Sequence, residues 1–152
     1  MLLRLIIFLA LNFSALGIGG FFTGKGVPSD WYEVLDKAPW TPPGWVFGAA
    51  WTSIMVCYAV YLALLWPSLE NKKLLLALFA CQWILNVSWN PVFFHFHQIG
   101  WGLIVIVALT AVVAFTLVHY FENFRTGSLL LLPYLLWLLV ATSLNGYIFL
   151  KN

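Results

Sequence analysis

Long apolar runs separated by short polar segments make up the whole chain. Each run is close to the ~20 residues that a helix needs to cross a bilayer, and none shows the strict alternation of a membrane-spanning strand. In lipid, only helices and closed barrels satisfy every backbone donor and acceptor. The pattern therefore predicts an all-α integral membrane protein, a bundle of five transmembrane helices in a single domain over residues 1–152. The predicted helices cover about 2–22, 45–66, 74–94, 101–121 and 129–150.

The first apolar run allows a second interpretation. An Arg4 placed before an apolar stretch is also typical of a signal peptide. Such signals have an apolar core of only about 7–15 residues, however, and this run is longer. We therefore favour a retained first helix.

The longest polar stretch, residues 23–44, separates the first two predicted helices. It holds four of the seven prolines, and proline interrupts a helix because it has no backbone N–H. Loops of this length often act as lids or binding segments, so we predict a long first loop that acts as a lid. A helical turn within 30–37, capped by Ser29 or Asp30, is expected inside it.

The composition indicates that lipid is the main solvent. Of 152 residues, 63% are hydrophobic and 8% are charged, whereas a soluble domain has about 25% charged residues. The mean hydropathy is +0.95. An aggregation-prone soluble core is the alternative, but it does not account for runs long enough to span a bilayer. We expect a multi-pass protein with membrane lipid as a partner. The net charge of +2, without a basic run, predicts no nucleic-acid binding.

Two stripes of polar and aromatic residues run along the predicted third and fifth helices. A spacing of four places the members of each stripe on one helix face, and polar side chains within a span usually face the bundle interior. They either join helices by hydrogen bonds or line a cavity with aromatic walls, which would suit a flat, conjugated ligand. The stripes are Gln82, Asn86 and Asn90, and then Trp137, Ala141 and Asn145.

Neither catalytic residues nor a metal site is predicted. The spans contain no carboxylate that would relay protons, and no phosphate-binding glycine loop or nucleophile–base pair is visible. The histidines His95, His97 and His119 lack the regular four-ligand spacing of a zinc site. Ligation of a haem iron by one of them is an alternative to the more ordinary interpretation as interfacial side chains.

Four segments, in order along the chain, together resemble the tryptophan-rich sensory protein/translocator protein (TspO/MBR) family. The first is the proline- and tryptophan-rich loop, and the others lie in the third to fifth helices. Together they are far more specific than any single motif. They read Trp31-Tyr32 … Lys37-Ala38-Pro39-Trp40-Thr41-Pro42-Pro43-Gly44-Trp45 … Trp51, then Gln82 … Leu85-Asn86 … Trp89 … Pro91 … Phe93-Phe94, then Gly100-Trp101, and then Pro133-Tyr134 … Trp137 … Ala141 … Leu144-Asn145.

The resemblance implies a five-helix fold, often dimeric, with a ligand cavity covered by the first loop. Members of the family bind tetrapyrroles such as haem and protoporphyrin IX, and some bind cholesterol and synthetic ligands. A tetrapyrrole is then expected as a ligand, with no cofactor required, and a homodimer as the assembly. The implied ligand-binding residues are Trp31, Trp40, Trp51, Asn86, Trp89, Phe93, Trp101, Trp137, Ala141 and Asn145.

The chain departs from the family pattern in the lid. The family often has Lys-Pro-x-Trp where this chain has Lys37-Ala38-Pro39-Trp40, which would alter how the lid closes. Residues Leu144, Tyr147 and Lys151 fit the loose cholesterol pattern, which is weak by itself. Because the longer tail of animal members is missing, we expect a bacterial member in the cell membrane and no steroid role.

Three functions follow from the resemblance as hypotheses. The first is binding of tetrapyrroles and related hydrophobic ligands for porphyrin transport, buffering or sensing. The second is an enzyme that degrades a bound porphyrin with light or oxygen. The third is cholesterol or lipid binding, or a scaffold role. The binding hypothesis rests on the resemblance and an aromatic, acid-free cavity, and the enzymatic one on a cluster of tryptophans without acid–base residues. We favour binding.

Overall fold

The computed structural model describes all 152 residues and is entirely helical. Five helices are long and apolar enough to cross a membrane, which confirms the predicted class. Each observed bound lies within a few residues of the expected one. The long helices are α1 (Leu2–Gly26), α3 (Gly44–Leu65), α4 (Lys73–Asn90), α5 (Ile99–His119) and α6 (Leu132–Lys151), and the short α2 (Asp30–Glu33) lies between α1 and α3.

The first loop is shorter than predicted because α1 continues to Gly26. The Thr23 hydroxyl donates to Asn90 Oδ1 of α4 at 2.7 Å, and a Cβ at Gly26 would overlap the Phe94 ring. Glycine therefore serves here as a close-packing residue inside a helix rather than as a helix breaker. The predicted turn is present as α2, and Ser29 Oγ caps it by accepting from Tyr32 N at 3.3 Å.

A π-helical turn, Pro91–His95, links α4 to α5. The backbone N–H of Phe96 donates to Pro91 O at 2.9 Å, which closes the wider ring of this turn. His97 then takes a left-handed φ of 55° and reverses the chain into α5. The turn faces Phe93 and Phe94 inward, and both side chains are buried.

Hydrogen bonds between side chains and neighbouring helices hold the bundle together. The bond from Gln82 confirms the structural interpretation for the first residue of the α4 stripe. A second bond joins the indole of Trp83 to the backbone of α1. Such bonds are expected where polar groups lie between helices in lipid. They are Asn12 Nδ2 to Met55 O (3.0 Å), Trp83 Nε1 to Leu11 O (2.9 Å), Gln82 Nε2 to the Tyr134 hydroxyl (2.7 Å), and the Thr110–Thr142 hydroxyl pair (3.3 Å).

The bundle has two distinct ends. The lid end contains the lid (residues 27–43), the π-helical turn and the C-terminus, and the opposite end contains the α3–α4 and α5–α6 loops. Of the four most completely buried aromatic side chains, Tyr58, Tyr61 and Tyr134 belong to α3 and α6, and Phe93 belongs to the π-helical turn. Large apolar side chains are exposed around the outside, as a lipid-facing surface requires.

Candidate functional site

The indole of Trp89 joins two clusters of packed side chains at the lid end. It stacks nearly parallel on Phe93, with ring centroids 5.4 Å apart and an interplanar angle of 14°. One cluster contains Phe93, Phe94 and Ile148 with Trp31 against it, and the larger cluster fills the middle of the bundle. Because Trp89 packs against both, it connects the side chains beneath the lid with the central core.

The lid covers this junction with aromatic rings. Trp31 meets the edge of Phe93 at 5.5 Å and stacks on His97 at 4.2 Å, with an interplanar angle of 15°. Tyr32 packs on Phe94 at 5.5 Å, and burial raises the pKa of the Tyr32 hydroxyl. Tyr32, which belongs to the lid, thus stays a neutral donor. The first loop therefore covers this junction and packs its own aromatic side chains against it.

Contacts with α6 hold the other half of the lid in place. Trp40 Nε1 donates to Ser143 Oγ at 3.2 Å, and its ring meets Tyr147 edge-on at 5.4 Å. The Asn152 amide pairs with the backbone of Asp36: Oδ1 accepts from its N–H at 3.0 Å, and Nδ2 donates to its carbonyl at 3.3 Å. The lid is therefore docked on α6 by polar contacts at its surface, and Tyr147 of the cholesterol pattern takes part in that docking.

The deeper wall of the site comes from α3 and α6. Trp51 meets the Tyr134 ring edge-on at 5.9 Å, and Trp137 meets Phe47 in the same way at 5.3 Å. Both tryptophans pack against the central cluster, which also contains the buried Ala141.

Three buried polar atoms of predicted site residues have no hydrogen-bond partner. They are the indole N–H groups of Trp89 and Trp137 and the side-chain oxygen of Asn145. The Asn145 side chain is 5% exposed, and its Nδ2 donates to Ala141 O at 2.9 Å, which fixes the orientation of the amide. An unpaired buried group costs about 1–3 kcal/mol. Residues that carry such a cost at one end of a bundle are suited to bind a polar group from outside the chain.

The polar residues of the α4 stripe differ in role: some join helices by hydrogen bonds, and one is free to line a cavity. Gln82 binds Tyr134, and Asn90 accepts from Thr23 while donating to Asn86 O at 3.2 Å. The side chain of Asn86, although buried, makes no hydrogen bond to the chain. Its two neighbours in the stripe are structural, and Asn86 itself remains available to the site.

The structure does not bring all ten predicted residues together. Trp101 is 63% exposed on the outer face of α5, in a groove of about 430 Å³ beside Phe149. Trp40 lies on the surface of the lid, 53% exposed. Six other predicted residues belong to or pack on the two clusters, and Asn86 and Asn145 lie buried on the same helices. The six are Trp31, Trp51, Trp89, Phe93, Trp137 and Ala141.

Several residues of the site were not predicted. Phe47 lies four residues before Trp51, so the same helical spacing used for the stripes would have found it. Phe94 and Tyr32 stand next to predicted residues, but only the π-helical turn and α2 show that they face inward. The role of His97 depends on its left-handed backbone, which no spacing indicates.

The histidines make no metal cluster with acidic or cysteine side chains. His97 stacks on Trp31, His95 lies against Phe22 and Phe96, and His119 is at the opposite end. Only His97 contacts a predicted site residue, Trp31, and its ring stacks on that indole as an aromatic side chain would. What the residues fit is a flat apolar molecule with a few polar groups.

Five apolar helices with an aromatic cluster beneath a docked lid define a small multi-pass helical membrane protein. The sequence model of the TspO/MBR family matches residues 6–150. The chain belongs to the TspO/MBR family and is an integral, multi-pass membrane protein.

The relatives come from different branches of life. The tryptophan-rich protein TspO of Archaeoglobus fulgidus is 38% identical, over 95% of this chain and 91% of that protein. The tryptophan-rich sensory protein of Cereibacter sphaeroides is 36% identical, over 78% of this chain and 74% of that protein. The translocator protein of Homo sapiens is 33% identical, over 87% of this chain and 79% of that protein. Similarity to each of them extends over most of the bundle.

Proposed function

We propose that this chain binds a tetrapyrrole, protoporphyrin IX or haem, among the aromatic side chains beneath the lid, and so moves, buffers or senses porphyrins. The observation that carries the proposal is the set of unpaired polar atoms on Trp89, Trp137 and Asn145 within aromatic walls. These atoms lose free energy unless a ligand or water pairs with them. All three belong to residues that the family motifs single out.

The arrangement of the rings supports a flat ligand. Trp89 and Phe93 lie parallel, as do Trp31 and His97. Conjugated rings gain from offset stacking on such faces beyond the area that they bury. A tetrapyrrole would separate one of these pairs and take its place, which requires the lid to lift.

Whether each unpaired atom donates or accepts a hydrogen bond limits the choice of ligands. Indole N–H groups only donate, so Trp89 and Trp137 require acceptors such as the carboxylates on a porphyrin rim. Asn145 Oδ1 only accepts, so it requires a donor such as a pyrrole N–H of a metal-free ring. A metal at the ring centre replaces those N–H groups. The site therefore favours protoporphyrin IX over haem.

A porphyrin titration in the dark tests this proposal. In Trp51→Phe/Trp137→Phe, we expect the affinity for protoporphyrin IX, followed by porphyrin absorbance, to fall about 10-fold, because a stacking face and an N–H donor are lost. Trp101→Phe is the matched control, since Trp101 lies on the outer face, and should bind like the parent. Equal affinity in the double variant and the parent would contradict the proposed pocket.

Light- or oxygen-dependent porphyrin breakdown is the second candidate. The observation that favours it is that two oxidisable indoles, Trp31 and Trp89, both contact the Phe93 ring along the wall where the porphyrin would lie. Illumination of the same complex would then give a new chromophore over several turnovers. Bleaching at the same rate with denatured protein would argue for ordinary photochemistry instead.

A homodimer is the assembly that we propose. Ala77 and Cys81 are small, exposed and four residues apart on α4, so they share one lipid-facing side of that helix. Small residues at this spacing allow two membrane helices to approach closely. This α4 face is the surface that we assign to the contact.

A further inference from the structure

A polar cleft of about 540 Å³ opens at the opposite end of the bundle. The α3–α4 loop forms one side, with Glu70 and Asn71. The end of α5 and the start of the α5–α6 loop form the other, with His119, Tyr120 and Asn123. None of these residues belongs to the predicted tetrapyrrole site. Because α3 and α5 end here, the cleft lies at the level where spans give way to the polar headgroup region.

The carboxylate of Glu70 has no cationic partner. The ion pair of the chain joins Arg125 and Glu122. The nearest basic side chain in sequence, Lys72, turns its ammonium to the loop carbonyls, at 2.6 Å from Leu69 O and 3.5 Å from Glu70 O. The Glu70 carboxylate therefore makes no ion pair in the chain, although the Lys72 ammonium lies beside its backbone carbonyl.

Neutral hydrogen-bond donors face the same space. Tyr120 lines the cleft while only 3% exposed, its hydroxyl makes no hydrogen bond to the chain, and burial raises the pKa of that hydroxyl. Asn71 uses its Oδ1 to accept from Lys73 N at 3.0 Å, which leaves its Nδ2 as a free donor. Asn123 adds a second amide without a partner in the chain. One carboxylate beside several neutral donors complements a zwitterion.

We infer that this cleft binds the headgroup of an ethanolamine phospholipid, with the primary ammonium on Glu70 and the phosphate on the Tyr120 hydroxyl and the amides of Asn71 and Asn123. The acyl chains would leave sideways over Leu74 of the rim and the exposed face of α5, where Phe115 and Val118 point into lipid. The site is separate from the tetrapyrrole site and does not depend on the function proposed for it.

Other headgroups fit less well. A purely anionic headgroup offers no cation to pair with the carboxylate of Glu70. A choline headgroup has no N–H to donate, and quaternary ammonium groups are bound by aromatic cages, whereas Tyr120 and His119 meet edge to face with their centroids 4.7 Å apart. A primary ammonium next to a phosphate satisfies both kinds of group in the cleft.

Lipid binding to the purified full chain in detergent tests the inference. With native mass spectrometry, we expect phosphatidylethanolamine to bind about 10-fold more tightly than phosphatidylcholine or phosphatidylglycerol of the same acyl chains, since hydrogen bonds to charged groups are of this strength. Glu70→Gln should remove most of that preference. Glu33→Gln at the lid end is the matched control and should keep it.

Two further measurements make the outcome decisive. Tyr120→Phe, which keeps the ring and removes the hydroxyl, should weaken phosphatidylethanolamine binding by a few-fold while porphyrin binding stays unchanged. Equal affinity for the three lipids, or an unchanged preference in Glu70→Gln, would overturn the inference. Binding of soluble phosphoethanolamine as tight as that of the lipid would overturn the assignment to a membrane lipid.

Discussion

Asn145 uses only half of its amide. Its Nδ2 is bonded to Ala141 O, and its buried Oδ1 has no partner. Asn12 is equally buried, yet its Nδ2 ties α1 to Met55 O of α3. The two asparagines look alike in the sequence, as polar residues in apolar runs. Their partners show that one holds helices together and that the other is suited to a ligand.

Replacing each asparagine by leucine should separate these roles. In Asn145→Leu, we expect the ligand-free protein to gain about 1 kcal/mol of stability, because an unpaired buried oxygen is removed, while protoporphyrin IX binds about 10-fold more weakly. Asn12→Leu should lose stability and keep its affinity. Thermal unfolding in detergent and porphyrin titration measure the two effects. An Asn145→Leu protein that binds porphyrin normally would show that Oδ1 does not face the ligand.

Both halves of the lid are held by contacts with the bundle. Its first half packs by rings on the π-helical turn, and its second half is docked on α6 through Trp40 and Asn152. The docking contacts are exposed polar bonds, which contribute little to stability. They are suited to open and close without disturbing the core.

Removing the Asn152 amide should loosen the second half of the lid. In Asn152→Ala, we expect porphyrin to dissociate about 5-fold faster, because two hydrogen bonds to Asp36 are lost, with faster hydrogen exchange in residues 34–41. Ser53→Ala removes a hydroxyl bonded only within α3 and should change neither rate. Stopped-flow displacement measures the dissociation. An unchanged rate would mean that the lid does not limit exit.

At the scale of the whole molecule, the bundle presents apolar side chains outward on every long helix. Because lipid solvates this surface, the burial of apolar area does not by itself favour association of two copies. Close approach of small residues is what favours a specific contact, and α4 offers it at Ala77 and Cys81.

The native cysteines test the dimer. If the α4 faces meet, mild oxidation in membranes should give a covalent dimer through Cys81, which is exposed, and not through Cys57, which is half-buried in α3. Cys81→Ser should abolish the cross-link, and Cys57→Ser should leave it unchanged. Failure of the parent to cross-link, with a dimer still present by light scattering, would move the contact to another helix.

Most of the fold was predictable because the length of an apolar run fixes where a span begins and ends. The extension of α1 to Gly26 was missed, since glycine and threonine in a polar stretch indicate a loop until the neighbouring Phe94 is seen. The site was predictable where one helix contributes several residues four apart. Trp101 shows the limit, because a motif names a residue without giving the face that it occupies.

The cleft at the opposite end could not have been found from the pattern of hydrophobic and polar residues along the chain. Its two sides, near Glu70 and Tyr120, are about fifty positions apart in the chain, and each side alone reads as an ordinary polar loop. Only the packing of α4 against α5 brings them together.

The π-helical turn at Pro91–His95 fixes the direction in which its own side chains, Phe93 and Phe94, face. Phe93 packs on Gly102 of α5, where an added Cβ would already stand 3.0 Å from the ring. Loss or gain of one residue in this turn would rotate the inward side chains by about 100° around the helix axis, carrying Phe93 towards lipid. An insertion or deletion in this turn is therefore expected to disturb the packing on two neighbouring helices at once, because Phe94 lies against Gly26 of α1 and Phe93 against Gly102 of α5.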